Sequence, residues 1–576
     1  MLYPTLPTTN PTRQMIDVFR GYNHNLRIND NEFYDMENMA SDNYPVLSPR
    51  RARASFVKST GLSGMISKDD FCYVDGQNFI VGGEVVNMGL SSEPKTLVSM
   101  ASYVIILPDK KYINTANPSD FGDIEVQKQT TGETTFSLCK LDGSEYDKLN
   151  FSPTAPSNPQ NMDLWVDTST TPNSLKQYSS SSSMWVSVAS TYIKISSVGI
   201  GKDFEVGDGV TISGIEDKDL ADLNATMVIQ SKGDDFIVVI GILDQVTKQS
   251  TSITIKRLMP NLDFVIESGN RLWGCRYGEA QNGEMVNEIY ASKLGDFKNW
   301  NSFQGISTDS YAASCGTDGQ FTGAITHLGY PIFFKENCMH KVYGNFPANY
   351  QIQTTDCRGV QKGSHKSLAI VNEILYYKSR HGICAYDGSL PVEVSTDLGD
   401  VAYFDAVGGA HGNKYYISMA DNAETYHFFV YDTSKGLWHK EDHTKAFQFC
   451  SHKNDMYYID KERGAIMRVF GDSESTEDIR WMAESGIIGF DSPDKKYISN
   501  MMVRLSLDFG SKVFFYIMYD SSGEWEHVGT IVGNKLKSMN VPVRPRRCDH
   551  FRLKIEGEGG AKIFSICKTL EQGSDF

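Results

Sequence analysis

The chain lacks most of the short motifs that carry enzyme chemistry. Its ten cysteines include no C-x-x-C pair, so neither a zinc ribbon nor a thioredoxin-type redox site is predicted. No P-loop, dinucleotide-binding or nucleophile-elbow sequence stands between a strand and a helix. The turns at 432–438 and 520–525 have the wrong spacing for the S-x-D-x-G-x-x-W turn of sialidase propellers. We therefore predict no catalytic residue, no cofactor and no enzymatic activity.

Long apolar segments and a surplus of basic residues are also missing. The longest apolar run covers residues 236–243, whereas a membrane-spanning helix needs roughly 20 apolar residues. The first residues show no charged stretch followed by an apolar one, which argues against a secretory signal. The chain has 55 Lys and Arg against 71 Asp and Glu, a net charge of −16. We expect a protein without a membrane span, made in a cytosol.

The surplus of acidic residues also affects how the chain is expected to interact with nucleic acid. Proteins that grip DNA by counterion release are usually basic. If DNA meets this chain, we expect it to slide past a surface that repels it. Ordinary solubility is the alternative explanation of the same charge.

The chain is rich in aromatic residues that favour β-strands. It contains 29 Tyr and 30 Phe, and these residues favour β-strands. Five apolar strand cores begin at 272, 332, 375, 415 and 456, which places their starts 60, 43, 40 and 41 residues apart. A period of roughly 40 to 50 residues is typical of four-stranded propeller blades. We predict an all-β chain built on a β-propeller, with one large β-sandwich as the alternative.

The composition shifts divide this architecture into segments. Two more hairpins before residue 129 raise the predicted total to six or seven blades, and a blade shared by the first and last units would leave no free edge. We predict five segments: an extended N-terminal arm (1–60), the first blades (61–129), inserted β-modules (130–260), the remaining blades (261–471) and a C-terminal β-sandwich (472–576) that begins with a linker at 472–480. The short stretch 217–223 is the helical candidate in the insertion.

The insertion carries the most conspicuous tryptophans. The letters DLWVDTS at 163–169 resemble a small β-module that is common in phage tail and fibre proteins. Trp165 and Trp185 are candidates for a glycan-stacking pair. The alternative is that both form the core of a very small β-module.

Two arginine clusters are candidates for contacts with a partner or with DNA. They comprise Arg50, Arg51 and Arg53 in the arm, and Arg544, Arg546 and Arg547 near the C-terminus. The alternative is a set of solvated or salt-bridged side chains.

The densest polar cluster, WHKEDH at 438–443, is not predicted to bind a metal. On a strand His439 and His443 would stand roughly 13 Å apart, too far to share one ion easily. A polar turn at the edge of a blade is the favoured interpretation, and we predict no metal site.

Several segments together resemble a family of phage virion proteins. The arm sequences FRGYN (19–23), NEFYDMEN (31–38) and YPVLSPR (44–50) are similar to the opening of tail-nozzle, or DNA-stabilisation, proteins. The sequences GNRLWGC (269–275) and IYASKLGDFKNW (289–300) resemble a recurrent blade of these proteins, and RPRRCDH (544–550) resembles their C-terminal domain. The insertion at 130–260 departs from the family pattern.

The resemblance implies a mechanical function. It implies a homo-hexameric ring in the virion tail of a short-tailed phage, below the portal and adaptor and in contact with other tail proteins. Such a ring extends the channel for double-stranded DNA, helps to retain the genome and opens on host attachment. The protein would be synthesised in the cytoplasm of a bacterial host. A carbohydrate- or receptor-binding tail protein is the alternative.

Overall fold

A computed structural model of the chain describes residues 11–280, 283–471, 477, 479–489, 495–533 and 535–572. The helical elements among these residues are four short 3-10 helices: Lys218–Leu223, Pro347–Asn349, His365–Ser367 and Thr396–Leu398. The prediction of an all-β chain is confirmed, and a helical turn forms where 217–223 suggested one. No helix in the described part of the chain is long and apolar enough to cross a membrane.

The chain divides into two compact units. The first comprises Met1–Pro94, Phe333–Met339 and Thr354–Phe576, and the second comprises Lys95–Ile332 and His340–Gln353.

Seven four-stranded arrangements of antiparallel strands have the form of propeller blades, and we number them in chain order. Blade one consists of Leu62–Ser67, Phe71–Asp75, Asn78–Val81 and Glu84–Asn87, and blade two consists of Thr96–Met100, Tyr103–Leu107, Lys111–Asn114 and Phe121–Asp123. Blade three consists of Phe264–Ser268, Arg271–Glu279, Met285–Ala291 and Tyr311–Ser314. Blade four consists of Gly323–His327, Tyr330–Phe334, Cys338–Tyr343 and Gln351–Asp356. Blade five holds Ala369–Val371, Ile374–Lys378, Ile383–Tyr386 and Val392–Glu393; blade six Phe404–His411, Lys414–Ala420, Tyr426–Asp432 and Leu437–Lys440. The β-propeller prediction is confirmed.

Blade seven joins the two ends of the propeller sequence within the first unit. Its strands Ala446–His452, Asp455–Asp460 and Ala465–Arg468 are completed by Ala54–Lys58, which pairs antiparallel with Ala465–Arg468. A strand from the start of the propeller thus covers an edge that would otherwise expose unpaired N–H and C=O groups. A shared blade is thus present, and the strand Ala54–Lys58 that completes it lies within the segment predicted as the arm (1–60).

The insertion forms three sheets in the second unit. The first sheet has the strand order Val126–Gln129, Thr254–Arg257, Gly209–Ser213 and Thr226–Val228. The second has the order Ser231–Gly233, Phe236–Ile240, Tyr192–Ser196, Thr134–Cys139 and Thr247–Gln249. The third has the order Asn150–Ser152, Leu164–Asp167, Ser174–Ser179 and Met184–Ser187. Alternate residues such as Ile193 and Ile195 are buried in a shared core that includes Phe136 and Phe204. This agrees with inserted β-modules.

The C-terminal region is a β-sandwich of two sheets that share one core. One sheet has the order Thr12–Ile16, Ala561–Gln572, Lys496–Leu507 and Lys537–Val541. The other runs on from Leu437–Lys440 of blade six through Gly21–Tyr22, Glu32–Glu37, Arg480–Ser485, Phe551–Glu558, Lys512–Tyr519 and Glu526–Val532. Trp481 and Phe515 belong to the buried core, together with Trp438 of blade six.

The N-terminal arm therefore differs from a free extended segment. Thr12–Ile16 and Glu32–Glu37 are strands of the sandwich, and Gly21–Tyr22 pairs with Glu32–Glu37 on one side and Trp438 on the other. The short strands Met39–Ala40 and Ser48–Pro49 pair with each other. The sequence predicts a linker at 472–480, but Arg480 is the first residue of a strand. Residues 472–476 and 478 of this predicted linker lie outside the described residues.

Candidate functional site

Two of the predicted arginines lie in a buried ion-pair cluster, which we call the arm clamp: Arg50, Arg53, Glu441, Asp442 and Glu477. Arg50 donates from Nη1 and Nη2 to the two carboxylate oxygens of Glu477, at 2.9 and 2.8 Å. Arg53 donates from Nη2 to Glu441 at 2.6 Å and from Nη1 to Asp442 at 2.8 Å. The cluster therefore ties the arm to residues that follow blade six and to Glu477, which follows blade seven.

The surroundings of Arg53 explain why its charge is tolerated in the interior. Its side chain is 1% exposed, and its guanidinium carbon lies 4.6 Å from the ring centroid of Phe428. Burial raises the pKa of Asp442, but Arg53 and Arg50 outweigh it, so the net direction is down. The carboxylate of Asp442 is thus held ionised, and removing one partner of the cluster would leave an uncompensated buried charge.

This placement corrects the predicted contact role of Arg50 and Arg53. Both are buried and bound to carboxylates of the same chain, so they have no free face for DNA or a partner. Arg51 differs, because its side chain is 69% exposed and its Nε lies 3.9 Å from an oxygen of Asp42. The prediction of an external contact in the arm is kept for Arg51 alone.

The C-terminal arginines are all exposed. Arg546 forms an ion pair with Glu526, and its guanidinium carbon lies 5.2 Å from the ring centroid of Tyr519. Arg544 and Arg547 are exposed on the same segment, after the strand Lys537–Val541. Their contact with a partner or DNA stays a prediction.

The structure brings Trp165 and Trp185 together but gives them unequal exposure. Their ring centroids are 5.4 Å apart at 67°, an edge-to-face arrangement. Trp165 is buried, its Nε1 donates to the Ser152 carbonyl at 2.9 Å, and the ammonium of Lys176 lies 5.0 Å from its ring centroid. Trp185 is half-buried and packs against Tyr178 at 5.3 Å. Ring surface that a ligand could contact is therefore exposed at Trp185 rather than at Trp165.

The polar cluster after blade six is used inside the chain. Burial lowers the pKa of His439 to about 3, which keeps this ring neutral. Nδ1 of His443 lies 2.9 Å from the Tyr426 carbonyl oxygen, and Glu441 pairs with Arg53. In the portion of the chain that the structure covers, no three His, Cys, Asp or Glu side chains are grouped to hold a metal ion.

The fold makes this chain a β-propeller protein, and comparison with known proteins adds likenesses of fold. No family model and no curated protein matches the sequence. Among solved structures, the chain is similar to an exo-β-1,3-galactanase from Phanerochaete chrysosporium with galactose, at 8% identity, a TM-score of 0.20 and 53% coverage of this chain and 95% of that one. A Trypanosoma rangeli sialidase matches at 8% identity and a TM-score of 0.20, over 98% of this chain and 97% of that one.

A third similar structure is the acylaminoacyl peptidase of Pyrococcus horikoshii, at 10% identity, a TM-score of 0.24 and 54% and 55% coverage of the two chains. The prediction that this chain is not an enzyme is contradicted by such matches, because the similar structures include glycoside hydrolases and a sialidase. We therefore withdraw it. At these TM-scores the likenesses assign neither a reaction nor a substrate to the chain.

Proposed function

We propose that the chain is a structural virion protein that forms the tail-nozzle ring of a short-tailed phage. In this role it extends the DNA channel below the portal and adaptor, retains the packaged genome and opens on host attachment. The observation that carries the proposal is the resemblance of the arm, blade three and the C-terminal segment to tail-nozzle proteins. The resemblance implies that the ring is a homo-hexamer, and closed cyclic symmetry is usual for soluble oligomers.

The placement of the arm supports this role. The arm segments that carry the resemblance lie in strands of the sandwich and beside blade six, and Leu47 exchanges two backbone hydrogen bonds with Ile563, at 3.1 and 2.9 Å. The arm clamp adds buried ion pairs at the same junction. A part that withstands the pressure of packaged DNA needs such links between distant segments, because separate domains move relative to one another by default.

The net charge of −16 supports the same role in a second way. Double-stranded DNA is polyanionic, so an acidic channel wall repels it and lets it pass without sticking. Exposed arginines such as Arg51 and Arg546 then suit contacts with neighbouring tail proteins rather than with the moving DNA.

The proposal is tested with virions of the phage that encodes the chain. Particles assembled without it should package DNA and then lose it, so their encapsidated DNA should become sensitive to DNase, and supplying the protein in trans should restore protection. Particles that stay full and infect normally without the chain would overturn the proposal.

A second candidate is a carbohydrate- or receptor-binding tail protein. It is favoured by one observation, the half-buried Trp185 beside Tyr178, with Met184 and Val186 of the same strand 64% and 52% exposed. Glycan-array binding of the full chain that is lost in Trp185→Ala would support this candidate. A folded chain that binds no glycan on the array would count against it.

A further inference from the structure

A cleft of 460 Å³ lies beside blade five in the first unit. Its walls include Lys378, the last residue of the strand Ile374–Lys378, and residues 380–382 of the turn after this strand. Thr396 and Leu398 of the 3-10 helix Thr396–Leu398 also line the cleft. Asn25 of the arm lines the same cleft, and its Nδ2 donates to the Thr396 carbonyl at 3.0 Å. Clefts of roughly 300 to 1,000 Å³ are the usual size of small-molecule sites.

Lys378, a buried lysine, is one of the residues that line this cleft. Lys378 is 3% exposed, and its Nζ donates to the Ser379 carbonyl oxygen at 2.5 Å. Over the residues that the structure describes, no carboxylate lies within ion-pair distance of this Nζ. Burial lowers the pKa of Lys378 to about 8, against the weaker opposing effects of Cys384 and Glu393. A buried cation without a paired carboxylate is costly, and a bound anion would offset that cost.

The rest of the cleft offers both charged and neutral partners. Arg380 and His381 are exposed at its rim. Glu393 also lines the cleft; Nη1 of Arg358 donates to it at 2.5 Å, and its carboxylate oxygens can accept further hydrogen bonds from hydroxyl groups. Val401, which is 38% exposed, supplies an apolar surface for the carbon face of a sugar ring.

We propose that this cleft binds a small polyhydroxylated carboxylate, of the sugar-acid class. The carboxylate of the ligand pairs with Lys378 and Arg380, and its hydroxyls bond to Glu393 and Asn25. Ligand binding in this cleft does not depend on the tail-nozzle role. It is also separate from the proposed glycan contact at Trp185, because the cleft lies in the first unit and Trp185 in the second.

The experiment is isothermal titration calorimetry of the full chain with D-glucuronate, and with D-glucose as the matched neutral probe. Glucuronate should bind, and glucose should bind at least about tenfold more weakly, because a charge-assisted bond to a buried ammonium is worth roughly 1.5 to 3 kcal/mol. Lys378→Met should weaken glucuronate binding by about tenfold or more on the same basis. Lys366→Met is the matched control, since Lys366 is partly buried and donates to the Phe447 carbonyl, away from the cleft.

Arg380→Gln provides a second test that does not depend on a buried substitution. Arg380 is exposed, so this variant should fold, and glucuronate should bind it more weakly than the wild type while glucose binding is unchanged. Equal binding of glucose and glucuronate, no binding of glucuronate to the folded chain, or unchanged affinity in either variant would overturn the proposal.

Discussion

Arg53 and Glu441 form a buried ion pair, with Nη2 of the arginine 2.6 Å from Oε2 of the glutamate. They are 388 positions apart in sequence. Arg53 directly precedes the strand Ala54–Lys58 that completes blade seven, and Glu441 directly follows the last strand of blade six. The pair therefore fixes the point at which the arm enters the propeller.

Replacing Arg53 should destabilise the protein strongly. Arg53→Met removes the cation that faces Glu441 and Asp442, and breaking a buried ion pair from one side typically costs about 3 to 5 kcal/mol. The free energy of unfolding in guanidinium chloride measures this loss, and limited proteolysis should show faster cleavage within the arm.

Arg51→Met is the control for that experiment. Its side chain is mostly exposed, so the change should stay within about 0.5 kcal/mol of the wild type. Equal stability of the two variants would show that the arm clamp does not hold the arm.

Stability should depend on pH through His439. Its folded pKa is about 3, and the ordinary value is 6.5. Between these pH values the unfolded chain binds a proton that the folded chain does not, so the free energy of unfolding falls as the pH drops from 6.5 towards 3. Above pH 6.5 the ring is neutral in both states and the effect vanishes.

His439→Gln should therefore flatten the pH dependence by up to about 1.4 kcal/mol per pH unit between pH 4 and 6. His365, whose pKa burial lowers to about 4, contributes with the same sign, so the slope should decrease without disappearing. His527→Gln, at an exposed position, serves as the comparison, and parallel pH profiles for His439→Gln and wild type would contradict the assignment.

The insertion should be sensitive to a methyl group at Gly209. A Cβ there would lie well inside van der Waals distance of the backbone carbonyl of Asn301, next to blade three. Gly209→Ala should cost about 1 to 3 kcal/mol or more, because a backbone atom cannot turn aside as a flexible side chain can. Hydrogen exchange in the strand Gly209–Ser213 should accelerate, whereas Gly316→Ala, which meets no atom within 4 Å, should leave it unchanged. Protection that is equal in both variants would contradict this contact.

The two tryptophans of the insertion should respond differently to truncation. Trp165→Ala empties a buried site and loses the bond to Ser152, so the small sheet should lose about 3 to 5 kcal/mol of stability. Trp185→Ala should cost less, since that ring is half-buried. Hydrogen exchange across residues 150–187 separates the two outcomes, and equal loss of protection would contradict the unequal burial.

The propeller was predictable because its signals are local. Strand cores such as Tyr415-Tyr416-Ile417 combine β-forming residues with an apolar face, and each lies in a strand of a blade. The short 3-10 helix at Lys218–Leu223 was foreseen on similar grounds, and Asp217 caps it by accepting from the Asp219 amide.

The role of the arm was not predictable in the same way. Thr12–Ile16 pairs with a strand more than 500 residues later in the chain, and no local pattern specifies that partner. The burial of Arg50 and Arg53 follows from the same long-range packing, so a basic cluster that looks exposed in sequence lies in the interior. Glu441 and Asp442 stand out in the sequence as part of a polar cluster, but only the folded chain brings them next to Arg50 and Arg53.

The most direct test of the tail-nozzle role is quantitative peptide mass spectrometry of purified virions. The copy number of this chain is compared with that of the portal protein in the same particles. The account predicts a fixed ratio, with on the order of six copies per virion, as the proposed homo-hexameric ring requires. Absence of the chain from virions, or a copy number that varies from one preparation to the next, would contradict it.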